Sequence, residues 1–193
     1  MALFKKAKLK NNIMQPFFHH YRTTLKKDLS SRFIYENPTQ LPKLKKINLN
    51  IGVKESSLKN ILPNFLGVEF ITSKYPQLTQ SSKNSVFFNL KKNSPNGVKV
   101  DLQGKQAYLF LQKLILQTIP NFKNRKDAFE ISQSSSFSFS IRELDSFQEL
   151  TLFYNFFKNI ESLDITFQVT SRTPLELAFF LTSFKFPGSC VRK

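Results

Sequence analysis

Over Gly97–Phe122 the spacing of apolar residues changes abruptly, and few architectures accommodate the change. Val98, Val100 and Leu102 alternate with Lys99 and Asp101, the period-two pattern of a strand with one buried and one wet face. Gln103 and Gly104 break it. From Lys105 onward Ala107, Leu111, Leu114, Ile115 and Thr118 recur at three and four, with Phe110 and Ile119 beside them, as on the inner side of a helix. Pro120 has no N–H to continue that helix, which should stop near Ile119. A strand feeding directly into an amphipathic helix predicts a sheet with helices on one face. The other face, carrying Lys99, is left free to bind.

The remaining segments fit that layout. Tyr21, Leu25, Leu29 and Phe33 fall at intervals of four between Pro16 and Ile34, among Arg22, Lys26, Lys27 and Arg32: a helix with one apolar stripe and a basic remainder. Asn37-Pro38 ends it. Ile47, Leu49 and Ile51 alternate with Asn48 and Asn50 as a second half-buried strand. After Gly52, Ser56 or Ser57 starts a helix over Leu58, Ile61, Leu62, Phe65 and Leu66, in which Pro63 is expected to cause a kink or a split. A short strand is expected near Gln77–Thr79 and another at Val86, Phe88 and Leu90, the latter forming a hairpin with the central strand through the turn-rich Lys91–Gly97. Ser132–Ser136 reads as loop, Phe137–Ile141 as strand, Phe153–Ile160 as a short helix and Ile165–Val169 as strand. Thr173-Pro174-Leu175-Glu176 is a capping box with proline at the first helical position, opening a last helix that ends before Pro187. The fold class is α+β, a mostly antiparallel sheet with helices packed on one face. Residues 1–15, with Lys5, Lys6, Lys8 and Lys10, read as a basic N-terminal arm, and 16–193 as a single domain.

The outward positions of these strands are Asn48, Asn50, Lys99, Asp101, Ser138, Ser140, Thr166 and Gln168. None is aromatic. Amides, hydroxyls and a lysine hydrogen-bond phosphates, 2′-hydroxyls and base edges, whereas stacking on single-stranded bases needs rings. The chain has 29 basic and 13 acidic residues, a net charge of +16, with the basic residues spread along its whole length. So large and dispersed an excess points to a polyanion, and to a folded RNA held through its backbone shape.

Other chemistries lack their parts. Cys190 is the sole cysteine, and the only histidines, His19 and His20, are adjacent and diverge by about 100° on a helix, a poor chelate. No metal or cofactor site is expected. Glu143 with Asp145, or Glu176, could serve as acid–base carboxylates, but the first pair lacks a partner histidine and Glu176 has a capping role. An alternative is a basic protein on an anionic membrane surface, with helix Pro16–Ile34 in the interface; its apolar stripe is narrow for that. Nothing approaches about 18 consecutive apolar residues, the length of a membrane span.

Leu41–Val53 (LPKLKKINLNIGV) resembles the signature of the universal large-subunit ribosomal protein five family, the 5S ribosomal RNA binders. Gly97–Phe122 resembles the same family's Gly-x-Lys-Val-Thr-Leu-Arg-Gly strand with its following helix and proline. Asp164-Ile165-Thr166, Thr173–Glu176 and Phe184–Pro187 match its last strand and helix. The similarity runs from about Phe17 to Pro187 with three motifs in order. Departures are Ser73-Lys74-Tyr75-Pro76 for the family's Gly-Gln-Lys-Pro, Asp101 for threonine, and Gln103 and Asn121 for arginines. Phe129–Phe137 replaces a glycine-rich loop.

The resemblance implies a non-catalytic scaffold in the central protuberance of the large ribosomal subunit. It would bind 5S and large-subunit ribosomal RNA beside neighbouring large-subunit proteins, and touch the peptidyl-site tRNA and a protein of the small-subunit head. The candidate RNA-binding residues are Lys43, Lys45, Lys46, Asn48, Asn50, Lys74 and Lys99; those of the loop toward tRNA and the small subunit are Lys83, Asn84, Asn89 and Lys91. The sequence drift, with a lysine-, asparagine- and phenylalanine-rich composition of the kind AT-rich genes produce, points to a mitochondrial ribosome, with a plastid as the alternative.

Overall fold

A computed structural model describes residues 16–53, 57–84, 91–121, 135–142, 146–158, 160 and 162–187. Pro16–His20, Tyr21–Leu25 and Lys26–Arg32 run on as one helix, α1, whose middle turn is a π-turn. Apolar residues at strict intervals of four drift about 40° per step around an α-helix. The looser turn takes back that drift, so Tyr21, Leu25 and Leu29 all reach the core. Then follow β1 (Leu44–Gly52), α2 (Leu58–Thr72), β2 (Gln77–Gln80) and β3 (Pro95–Gln103). Helix α3 (Lys105–Lys113) continues through a π-turn (Leu114–Thr118) and a 3-10 turn (Ile119–Asn121); β4 (Ser136–Ile141), α4 (Gln148–Thr151), α5 (Tyr154–Phe157), β5 (Leu163–Val169) and α6 (Pro174–Ser183) complete the chain.

The five strands form one sheet in the order β2-β3-β1-β5-β4, every neighbouring pair antiparallel. Ile47, Leu49, Ile51, Val98, Val100, Leu102, Phe137, Ile141, Leu163, Ile165, Phe167 and Val169 are buried on one side of it, beneath α2, α3 and α6. Each fully buried Leu, Ile or Val contributes about 1.5–3 kcal/mol by leaving water. This apolar layer therefore fixes which face of the sheet remains wet. At the turn from β3 into α3, Gly104 has φ +57° and ψ −130°, a conformation essentially closed to side chains, which explains why the switch from strand to helix needs glycine there.

α1 lies over the helical layer. Tyr21 packs against Tyr108 of α3 and Phe180 of α6, and its hydroxyl donates to the Pro42 carbonyl at 3.0 Å. Burial raises the Tyr21 phenol to about 12, and burial together with the neighbouring Tyr21 pushes Tyr108 up as well. The ammonium of Lys113 joins three elements. It is 2.8 Å from Glu149 Oε1 on α4 and donates at 2.8 Å to the Ile71 carbonyl near the end of α2.

Three expectations change. Of the kink or split expected at Pro63, the split does not occur, and α2 runs to Thr72; the missing N–H lies in the second turn and leaves one carbonyl, that of Lys59, without its helical partner. β3 begins at Pro95, and its hairpin partner is Gln77–Gln80, while Val86, Phe88 and Leu90 lie outside the described residues. Gln103 does not break the strand but pairs with Lys46 as its last residue. The capping box forms with a shift: Thr173 Oγ1 accepts from Glu176 N at 3.3 Å, while Glu176 Oε2 accepts from Arg172 N at 2.8 Å. The 1–15 arm and the Ser132–Ser134 part of the serine run lie outside the described residues.

Candidate nucleic-acid interface

Strand register decides which polar residues share a surface. Across the wet face, Asn48 pairs with Asp101 on one side and Thr166 on the other, and Thr166 with Ser138. The next row is Gln77, Lys99, Asn50, Asp164 and Ser140; the row before is Gln103, Lys46, Gln168 and Ser136. All eight outward residues read from the sequence therefore lie on one face, and no described strand residue on that face is aromatic. Strands about 4.8 Å apart make this a surface about 19 Å wide, and nine residues of β1 make it about 27 Å long.

β1 carries a bulge between Leu44 and Lys46. Two residues there oppose one on β5, so Lys45 and Lys46 both turn outward while Leu44 is buried. Lys43 lies just before the strand, exposed, its N–H donating to Thr170 Oγ1 at 3.1 Å. Lys43, Lys45 and Lys46 thus gather at one end of the sheet.

Charges on the face are not all free. Lys46 Nζ is 3.7 Å from Asp101 Oδ2. Lys99 is exposed and makes no ion pair among the described residues. Asn50 is exposed between Lys99 and Asp164, whereas Asn48 is half-buried with its amide oxygen enclosed and unpartnered. Asn50 and Lys99 can reach a ligand; Asn48 supports the surface from within. Ser138 Oγ is 3.0 Å from Thr166 Oγ1, and Ser140 Oγ donates to Asp164, so the β4 hydroxyls are already tied to β5.

Lys74 does not sit on the face. Just ahead of β2, its ammonium donates to the Asp101 carbonyl at 2.6 Å, covering the β3 edge beyond the reach of β2. Lys83, Asn84 and Lys91 lie at the far end of the sheet from Lys43–Lys46, in the β2–β3 connection. There Asn84 Oδ1 accepts from Lys92 N at 2.6 Å, and the Lys91 carbonyl accepts from Ser94 N and Oγ, holding the neck of the loop; Asn89 is outside the described residues. The face also contains Gln77, Gln103 and Asp164, which sequence reasoning did not place on it. Gln103 was recoverable, since Lys99, Asp101 and Gln103 keep the period of two.

Comparison with known proteins adds a second line of argument. The family model for the C-terminus of the ribosomal L5 family matches residues 95–187, from the first residue of β3 to just past α6. The large ribosomal subunit protein uL5m of Reclinomonas americana is 33% identical over 172 residues, covering 87% of this chain and 94% of that protein. The chain belongs to the ribosomal L5 family. Its uL5 relatives include those of Nitrosomonas europaea and Buchnera aphidicola, each 32% identical over 178 residues, 90% of this chain and 98% of theirs. This family is structural and not enzymatic, consistent with a wet sheet face that displays hydrogen-bonding groups and fixed charges.

Proposed function

We propose that this protein is a structural constituent of the large subunit of an organellar ribosome, and that the wet face of its sheet binds structured ribosomal RNA. The finer reading is 5S ribosomal RNA in the central protuberance of a mitochondrial ribosome, with the Lys83–Lys91 loop at the other end of the sheet reaching the peptidyl-site tRNA and the small-subunit head. The observation that carries it is the register that gathers Lys46, Asn50 and Lys99 onto one ringless face. Such a surface suits the phosphates and 2′-hydroxyls of a folded RNA, since it has nothing on which to stack an unpaired base. Family membership supports the ribosomal setting.

The rival membrane reading loses its main element. The apolar stripe of α1, Tyr21, Leu25 and Leu29, is buried against α3 and α6, and no helix among the described residues is long and apolar enough to cross a bilayer. The experiment is a low-salt filter-binding assay of the Lys46→Glu, Lys99→Glu chain on 5S and large-subunit ribosomal RNA. Weaker binding with unchanged helix content by circular dichroism is expected; unchanged affinity sinks the assignment.

A further inference from the structure

Helix α2 lacks the polar outer face of a surface helix. Ile61, Val68 and Ile71 bury one side of it over β3, yet its solvent side carries Leu58, Leu62, Leu66 and Phe70, apolar residues at intervals of four. Leu58 is 81% exposed and Leu62 52%. A helix that is apolar all round is normally covered all round.

Aromatic pairs flank this row on both sides. Phe65 packs edge-on against Tyr75 with ring centroids 5.2 Å apart, and Phe70 stacks on Phe153 at 6.4 Å. At 100° per residue Phe65 and Phe70 stand about 140° apart around α2, with Leu62 and Leu66 between them. Tyr75 and Phe153 are themselves 75% and 58% exposed. The open parts of Leu58, Leu62, Phe70, Tyr75 and Phe153 amount to on the order of 600 Å², the upper end for the largest apolar patch of a monomer and most of the roughly 800 Å² that one partner gives to a specific protein complex. From Leu58 to Phe70 the patch runs about 18 Å, room for three turns of a second helix laid along it.

The chemistry of the patch selects its occupant. Tyr75 stands where the Gly-Gln-Lys-Pro segment that 73–76 resembles has lysine, so in a chain of net charge +16 a ring has here taken the place of a cation. The only charges on α2 are Lys59 and Glu69, and Lys158 follows Phe157, whose ring packs on Phe70 at 5.9 Å. Lys59 and Lys158 are exposed, and neither makes an ion pair among the described residues. Leucines and rings at the centre with unpaired lysines at the margin suit the apolar stripe of a helix whose flanks are acidic. An RNA backbone would meet mostly hydrocarbon there. A second copy of the chain would bring +16 against +16, with only its Glu69 to set against these lysines.

We propose that α2, with Tyr75 and Phe153 beside it, is the docking site for an amphipathic helix of a neighbouring protein of the large subunit, apolar on its inner side and acidic on its flanks. This rests on the chain's being a large-subunit constituent, and not on which RNA the sheet takes.

The test uses large subunits assembled with the full chain carrying the photo-crosslinker of Leu58→benzoylphenylalanine. After irradiation the crosslinked peptide is expected to come from one neighbouring protein, with apolar residues three and four apart and an excess of Asp and Glu. When Leu62→Gln and Tyr75→Lys are added, recovery of that crosslink is expected to fall by about tenfold or more, since such central contacts carry most of the binding. The free variant should keep the wild-type circular dichroism spectrum and at least the wild-type affinity for RNA. A crosslink to ribosomal RNA, to a second copy or to lipid, or no crosslink at all, overturns the proposal, as does undiminished crosslinking in the variant. A wild-type chain that fails to sediment with large subunits would refute the ribosomal setting itself, and the docked helix with it.

Discussion

Asp101 is the anion on the proposed RNA face, and replacing it with asparagine should tighten RNA binding. Its carboxylate lies 3.7 Å from Lys46 Nζ, and the two side chains are 44% and 26% exposed. Two unit charges about 4 Å apart are worth about 1 kcal/mol in water, and measured surface pairs of this kind fall at about 0–1 kcal/mol. Asp101→Asn removes that competition for Lys46 and also removes the repulsion between Asp101 and any phosphate approaching the row, a few tenths of a kcal/mol more. The sum is about 0.3–1.4 kcal/mol, or an affinity gain of about two- to tenfold at low salt. Lys46 then neutralises one further phosphate, so the slope of log affinity against log salt should steepen by about 0.9. Folding should change little, because Lys74 donates to the Asp101 backbone carbonyl and not to its side chain. Filter binding across a salt series reads affinity and slope together, and urea unfolding checks the fold. Equal or weaker binding with an unaltered slope would show that Lys46 does not meet RNA phosphate.

Gly97 and Gly52 are directly paired across β3 and β1, yet they should respond oppositely to alanine. A Cβ on Gly97 would lie 2.7 Å from the Ile51 carbonyl and 2.8 Å from Thr79 Oγ1, so Gly97→Ala should cost about 1–3 kcal/mol in urea unfolding; Gly52→Ala, with nothing within 4 Å, should cost under about 0.5. Alkaline pH should also destabilise the fold. The buried Tyr21 phenol is raised to about 12 from 10.0. Between those values the unfolded chain has lost a proton that the folded chain retains. Stability from this group is therefore complete below about pH 10 and falls as pH rises toward 12. Tyrosinate absorbance and circular dichroism should change together, and ionisation of every tyrosine near pH 10 in a folded chain would contradict the packing of α1.

The strands were legible because the helical layer buries only one side of them, which imprints a period of two on Ile47–Ile51, Val98–Leu102 and Ile165–Val169. The wet face was legible for the same reason: parity along each strand chooses the face, and a slip of one residue would reverse it. What local sequence does not encode is which strand lies beside which. The pairing of Lys46 with Asp101 follows from β1 lying next to β3, and Lys74 becomes an edge cover because β2 is too short to pair with β3 as far as Asp101. The expected split at Pro63 and the expected strand break at Gln103 failed for a common reason. Each treated a residue's own preference as decisive, where helix α2 could tolerate one unpaired carbonyl and β3 could end on a polar residue whose side chain faces water.

Lys45 shows how far parity alone can mislead. Counting back from the buried Ile47 by twos puts Lys45 inside and Leu44 outside. An unpaired ammonium under the sheet would cost several kcal/mol, and an exposed Leu44 would forfeit about 2 more. The bulge between Leu44 and Lys46 removes both penalties with one extra residue: Leu44 is 5% exposed and Lys45 faces solvent. The same irregularity places Lys45 and Lys46 side by side at the end of the face. The avoidance of a buried charge, a requirement of folding alone, therefore concentrates cations at one end of the proposed RNA face.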